Sequence, residues 1–332
     1  SMDEKVFDAE KLVAFEKCVP TQEEVEMISS FDEPETLGTA EKFVLAVHKI
    51  PRLGPRTKTW GYKQTFDARY EELEPPIAAA MKACKQVQSS DKFKDLLALV
   101  LAVGNYLNGG SVRGAAYGFK LDALSKLADT KSNDPSLSLL HFLIMQAEKM
   151  GDKGPLNVSE ELSAAKAASA VVLSQLQADV GQLAGGMRVV EGQVNAFKDA
   201  PGDKYKIVME PWLSKHKALV GNMEEEVKAL QANYASLIVL YGEDPKSMPM
   251  ETFFGLLSKF MQIWDKGRQD LEIQRAKAAK EKDAAGGKAA GGEKNKSSSN
   301  VVAADKEKVK EKEVEKKPPS MVTTGPTEGS GE

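Results

Sequence analysis

The sequence contains few of the residues on which disulfide frameworks, metal sites and catalysis depend. Its 332 residues include only two cysteines, Cys18 and Cys84, and three histidines, His48, His141 and His216. Two thiols are too few for a disulfide framework or a structural zinc site, so we interpret them as ordinary thiols of a reducing cytosol. The histidines fall on separate predicted helices, and none has a ligand partner at helical spacing. We therefore expect no metal and no cofactor.

Long apolar runs and a large net charge are also missing. No apolar stretch approaches the ~20 residues that span a bilayer, so we expect no membrane partner. The formal net charge of −4 does not indicate a nucleic-acid partner. The glycine-rich stretch 109–114 lacks the lysine and hydroxyl of a phosphate-binding loop, and it follows a predicted helix rather than a strand. These absences argue against an enzyme.

Helix signals dominate what is present, and no segment has the pattern of a strand. Thr21 and Glu24 have the spacing of a capping box. Pro75 and Pro76 are predicted to open a helix, since a proline in the first turn loses no hydrogen bond. Ser90 is the predicted N-cap of an apolar helix that runs into Gly104. The sequence therefore predicts an all-α fold.

Two long segments have apolar residues that alternate at spacings of three and four, which is typical of a coiled-coil seam. The first seam comprises Leu173, Leu176, Val180, Leu183, Met187, Val190, Val194 and Phe197, and the second comprises Val220, Met223, Val227, Leu230, Tyr234, Leu237 and Tyr241. Pro201-Gly202 separates them, so we predict an elongated domain with a long antiparallel helix pair. Four glycines interrupt the first segment, and close approach of another helix is one explanation.

The composition changes near residue 283. Before it, the chain is predicted to be one helical domain, residues 1–283. From 284 to 332, glycine, alanine, serine, lysine and glutamate leave almost no large apolar side chains. Such a segment buries too little surface to offset its ordering entropy, so we predict a disordered tail.

The most informative stretch begins at Gly104. The chain reads G-N-Y-L-N-G-G over 104–110, R-G-A-A-Y-G-F-K-L over 113–121, D-T-K-S over 129–132 and L-L-H-F over 139–142. In order and spacing, these elements resemble the signature block of formin homology-2 domains. The resemblance extends over roughly residues 8–280.

The resemblance implies an actin-binding module of the cytoplasmic actin cytoskeleton, which nucleates filaments and stays at the barbed end while subunits add. Members of the family form head-to-tail homodimers. A lasso segment of one subunit wraps the post subdomain of the other and inserts an aromatic side chain into a pocket. By the match of motifs, that pocket would be formed here by Gly104, Asn105, Tyr106, Asn108, Gly109, Gly114, Gly118 and Phe119. The alternative is that these residues only shape a tight loop.

A lysine in the D-T-K-S element contacts actin in the family, and it corresponds to Lys131. The family also has an N-terminal lasso bearing a tryptophan, a linker and a first knob helix. None of these matches this sequence, in which Trp60, Trp212 and Trp264 fall in the helical body. We therefore expect this chain alone not to form the ring dimer and to nucleate filaments weakly or not at all.

Two other classes remain open from the residues themselves. The heptads alone would suit a coiled-coil scaffold that binds other helices, although a scaffold gives no reason for the glycine loop. The lysine- and glutamate-rich stretch 306–317 would suit a tether to a membrane or microtubule, although mixed charge is usually a solvated tail.

Overall fold

A computed structural model describes residues 2–30, 36–111, 114–131, 137–198 and 202–289. Within these residues every regular element is a helix, apart from one isolated bridge between Lys131 and Ser138. This confirms the predicted all-α fold class.

The α-helices of the described residues differ widely in length. They are α1 (Ala9–Glu16), α2 (Gln22–Ser29), α3 (Thr39–His48), α4 (Leu53–Ser89), α5 (Asp91–Leu107), α6 (Leu139–Lys149), α7 (Val158–Glu161), α8 (Ala165–Ala168), α9 (Leu173–Asn195), α10 (Tyr205–Leu240) and α11 (Met250–Ala289). Short 3₁₀ helices cover Leu121–Lys126, Gly151–Lys153 and Pro155–Asn157.

Several helix starts follow from the predicted caps. The Thr21 hydroxyl accepts from the Glu24 amide at 3.3 Å, and the Thr21 amide donates to the Glu24 carboxylate at 2.8 Å, which completes the capping box of α2. The Ser90 hydroxyl accepts from the Phe93 amide at 3.0 Å at the start of α5. Local sequence therefore fixes these two boundaries.

The prediction that Pro75 and Pro76 open a helix is wrong. Both lie inside α4, which continues from Leu53 to Ser89. A proline inside a helix removes a hydrogen bond and crowds the preceding turn. The side chains on both sides of the pair are buried, with Phe66 before it and Ile77 after it each 1% exposed. This burial stabilises the helix on either side and offsets the penalty.

The chain folds into two compact units. The first comprises residues 1–84, 170–237 and 249–251, and the second comprises 85–169, 238–248 and the chain from 252 onward. Helix α11 is described as far as Ala289, beyond the predicted end of the domain at 283. The rest of the predicted tail, residues 290–332, lies outside the described residues.

In the first unit, α9 and α10 run antiparallel. Gln177 hydrogen-bonds Gln231, Arg188 bonds Glu224, and Lys217 bonds Glu191, so positions on α10 fall as positions on α9 rise. Most seam positions are buried: Leu176, Val180, Leu183, Met187, Val190 and Val194 on α9, and Val220, Met223, Val227, Leu230, Tyr234 and Leu237 on α10. The predicted antiparallel pair is therefore present.

One of the four glycines of α9 has a clear packing reason. A Cβ at Gly186 would lie 2.1 Å from the ring of Tyr62, whose hydroxyl donates to the Leu183 carbonyl at 2.6 Å. A Cβ at Gly181, Gly185 or Gly192 would have nothing within 4 Å. Close helix approach thus explains Gly186, but not the other three.

Candidate functional site

An open apolar groove of about 890 Å³ lies between α5 and α6 in the second unit. Leu99, Val103 and Leu107 are among the side chains that α5 contributes to it. Helix α6 contributes Phe142, Gln146 and Met150. Thr130 and Lys131, from the segment that precedes α6, complete the wall.

Four large apolar side chains of this groove are exposed to solvent. Tyr106 is 85% exposed, Leu107 59%, Met150 48% and Phe142 42%. Apolar side chains that line one open concavity mark a surface that binds another molecule, because each retains area to bury.

The loop that follows α5 is held in shape by Asn105. Its side-chain amide donates to the Ala116 carbonyl at 3.0 Å, and its side-chain oxygen accepts from the Ala116 amide at 2.8 Å. Ala115, beside this clasp, has φ +61°, and Gly110 has φ +82°. A Cβ at Gly114 would lie 2.9 Å from the Asn108 carbonyl oxygen, so glycine is required there.

The end of the loop is anchored as well. The Lys120 ammonium donates to the Gly242 carbonyl at 2.9 Å and pairs with the Glu243 carboxylate at 3.0 Å. Tyr117, between the clasp and this anchor, is 89% exposed. Tyr117 is therefore exposed to solvent on a backbone that is held by hydrogen bonds on both sides.

Lys131 lies at the rim of the groove on a backbone fixed by hydrogen bonds. It forms an isolated antiparallel bridge with Ser138, and the Leu139 amide donates to the Thr130 carbonyl at 2.8 Å. The Ser138 amide donates to Nδ1 of His141 at 3.0 Å, which caps α6. The side chain of Lys131 is exposed. The predicted turn between the two ends of the bridge, 132–135, lies outside the described residues.

A known family matches most of this chain, including the whole groove. The sequence profile of the Formin Homology 2 Domain matches residues 1–265. The chain belongs to the formin homology 2 family. The resemblance predicted from the G-N-Y-x-N block is thus confirmed.

Individual formins from distant organisms agree with this assignment. The chain is 32% identical over 294 residues to Formin-A of Dictyostelium discoideum, with 85% of the chain covered. It is 31% identical over 274 residues to human Disheveled-associated activator of morphogenesis 2, with 81% covered. It is 29% identical over 291 residues to Formin-like protein 13 of Arabidopsis thaliana, with 85% covered. The aligned regions span 24%, 26% and 23% of these relatives, so the chain spans about a quarter of their length.

The structure brings some of the predicted formin site residues together and not others. Gly104, Tyr106, Asn108 and Lys131 line the groove. Asn105 turns its side chain to the loop backbone instead. The others shape or follow the loop without lining the groove, and they are Gly109, Gly114, Gly118 and Phe119. Arg113, which belongs to the quoted motif, lies outside the described residues.

Sequence reasoning missed the wall that α6 contributes. Phe142, Gln146 and Met150 recur every four residues, and so lie on one face of α6. The signal was an exposed phenylalanine in a helix whose opposite face is buried, and exposure cannot be read from the sequence. The wall therefore emerged only from the structure.

Two of the three histidines have structural roles. His141 caps α6, while the ring of His216 stacks on Trp212, with centroids 4.7 Å apart. Among the described residues, no group of three or more His, Cys, Asp or Glu side chains could hold a metal ion. Within the described part of the chain, no helix combines the length and the apolar character needed to cross a membrane.

Proposed function

We propose that this chain is an actin-binding module that serves filament nucleation and processive elongation at the barbed end. Formin homology 2 formins nucleate actin filaments and elongate them, and membership in that family supports the proposal. The observation that carries it is the apolar groove with Tyr106 on its wall and Lys131 at its rim. The proposed setting is the actin cytoskeleton of the cytoplasm. The proposed action is binding rather than catalysis, without nucleic acid or membrane as a partner.

The groove is proposed to receive an aromatic side chain from the lasso of a partner subunit. Its volume of about 890 Å³ is ample for an indole ring and the flanking residues of a peptide. Tyr106 and Phe142 retain enough exposed ring surface to pack edge-to-face or offset against such a ring. A head-to-tail homodimer joined in this way would bury the apolar side chains that are exposed in the groove of the isolated chain.

Lys131 is proposed to contact actin directly. Its ammonium is exposed while its backbone is fixed by the bridge to Ser138, so the charge is presented from a rigid base. Actin is acidic, and a cation at the rim of an interface accelerates association with an acidic surface as well as forming a contact.

The scaffold alternative is less well supported. A coiled-coil scaffold needs an apolar stripe available to another helix, whereas the seams of α9 and α10 are buried within the first unit. An exposed apolar concavity is found instead in the groove between α5 and α6.

Actin assembly kinetics test the proposal. We would compare this chain with the same chain joined at its N-terminus to a lasso segment of the formin homology 2 family. The joined chain should accelerate assembly, and replacing Tyr106 and Phe142 together by alanine should remove most of that acceleration. Tyr117→Ala is the matched control, because this tyrosine is equally exposed but does not line the groove. If the joined chain leaves assembly unchanged, the scaffold function takes the place of this one.

A further inference from the structure

Helix α6 has one face that lines the groove and an opposite face that is buried. Phe142, Gln146 and Met150 face the groove. Leu140 and Ile144, displaced by two residues and therefore by about 200° around the helix, are 2% and 0% exposed. The element that packs against Leu140 and Ile144 therefore determines the position of the groove-lining face of α6.

The element behind α6 is the part of α11 that follows the family match. The matched region ends at Asp265. A Cβ at Gly267 would lie 2.8 Å from Cδ1 of Ile144 and 3.2 Å from Cδ2 of Leu140, so the α11 backbone lies directly against α6. The profile match ends two residues before Gly267.

The contact continues along one face of α11. Gly267, Leu271 and Arg275 are spaced by four residues and share that face. Leu271 is 3% exposed. Arg275 makes a bidentate pair with Glu148 of α6, at 3.0 and 2.6 Å. Since Gly267 meets Leu140 and Ile144 while Arg275 meets Glu148, the two helices run in the same direction over this contact.

The start of the contact is fixed by two further bonds. The Trp264 indole donates to the Leu156 carbonyl at 3.1 Å. The Ser159 hydroxyl donates to the Asp265 carboxylate at 2.8 Å. These bonds set the position of α11 immediately before Gly267, so the close approach at Gly267 is imposed from outside α6.

We infer that residues 267–275 of α11 are the back support of the groove and set its affinity for an aromatic occupant by positioning α6. This inference rests on the proposed function of the groove. It assigns Gly267, Arg275 and Glu148 a positioning role, since none of them lines the groove. Because protein interiors are close-packed, a displacement imposed on one face of α6 is transmitted to the other.

Two alanine substitutions in the same helix separate this role from helix stability. Gly267→Ala adds a Cβ against Ile144 and Leu140, whereas Gly255→Ala adds one with nothing within 4 Å. Both gain the same intrinsic helix propensity. The probe is N-acetyl-L-tryptophan amide, and its affinity is read from the methyl resonance of Met150 in methionine-labelled protein, assigned with Met150→Leu. Unfolding by urea is measured for each variant.

Gly267→Ala is expected to weaken probe binding about fivefold, as overpacking shifts α6 toward the groove. Gly255→Ala should bind the probe like the parent chain. The inference is overturned if the two variants bind equally well.

The Arg275–Glu148 pair provides a second test of the positioning role, and substituting this partly exposed pair does not disturb core packing. Arg275→Ala should weaken probe binding about twofold, since the pair is partly exposed. Glu148→Arg combined with Arg275→Glu should restore parental affinity, whereas each change alone should not. Failure of this rescue overturns the positioning role of the pair.

The outcome also distinguishes this inference from the proposed function. If the parent chain does not bind the probe at all, the groove is not an aromatic site, and both the inference and the lasso-docking proposal fail. If the parent and Gly267→Ala bind it equally, the inference fails while lasso docking and actin assembly stand.

Discussion

Asn105 closes the loop after α5 by bonding both polar groups of Ala116. Its amide donates to the Ala116 carbonyl at 3.0 Å, and its oxygen accepts from the Ala116 amide at 2.8 Å. Asparagine is suited to this clasp because it offers a donor and an acceptor side by side. The clasp holds the loop beside the groove, so the asparagine of the G-N-Y-x-N motif serves the architecture of the site.

Asn105→Asp should loosen this loop. The carboxylate keeps the acceptor but loses the donor, and it places an oxygen opposite the Ala116 carbonyl. The free energy of unfolding should fall by about 1–3 kcal/mol. Urea unfolding measures it, with Asn108→Asp as the control, since the described hydrogen bonds of Asn108 within the loop use its backbone. Equal loss in both variants would contradict the clasp.

Two glycines of the motif should respond differently to alanine. Gly114→Ala places a Cβ 2.9 Å from the Asn108 carbonyl oxygen and 3.3 Å from that of Ser111, and backbone atoms cannot move aside cheaply. We expect a loss of about 1–3 kcal/mol in unfolding free energy. Gly118→Ala meets nothing within 4 Å and should leave stability unchanged. Reduced actin assembly by Gly118→Ala at unchanged stability would mean that a partner approaches there; equal destabilisation of both variants would contradict the loop geometry.

The adjacent glycines of α9 provide a third contrast. Gly185→Ala should stabilise the chain by up to ~1 kcal/mol, because alanine favours helix and nothing obstructs its Cβ. Gly186→Ala should destabilise it by about 1–3 kcal/mol, because the Tyr62 ring must move from a position fixed by its bond to Leu183. Thermal unfolding of the two variants checks this. If both substitutions stabilise the chain, the Tyr62 ring can adopt another position that avoids the Cβ added at residue 186.

Features that depend on local sequence were predictable, whereas features that depend on contacts between distant segments were not. Caps at Thr21 and Ser90 depend on residues three apart, and the seams of α9 and α10 depend on local periodicity, so both were predictable. The continuity of α4 through Pro75 and Pro76 was not, since burial provided by distant segments outweighs a local penalty. The α6 wall of the groove and its support by Gly267 were also beyond reach, because both arise from contacts between distant helices.

Alkaline pH should destabilise the chain through tyrosines that are buried or half-buried. Burial raises the pKa of Tyr62 and of Tyr241 to about 12, and it also raises the pKa of Tyr234. Unfolded tyrosine ionises near pH 10. The native state therefore holds protons that the unfolded chain releases, so this stabilisation is complete below about pH 10 and is lost as pH rises toward about 12.

Urea unfolding between pH 9 and 11.5 measures the effect of these tyrosines. Tyr241→Phe should flatten the decline in stability, although it loses the hydrogen bond to the Val87 carbonyl at every pH. Tyr117→Phe, at an exposed position, should leave the decline unchanged. If stability falls identically with pH in the parent and both variants, Tyr241 does not contribute to the loss of stability at alkaline pH.

Sedimentation with filamentous actin tests the central claim most directly. The chain, its Lys131→Ala variant and its Lys166→Ala variant would each be titrated with filaments at two salt concentrations. Lys166 is an exposed lysine that does not line the groove. The account predicts that the parent and Lys166→Ala sediment alike, and that Lys131→Ala binds about fivefold more weakly with a smaller dependence on salt. Equal sedimentation of all three chains, or none by the parent at either salt concentration, would contradict it.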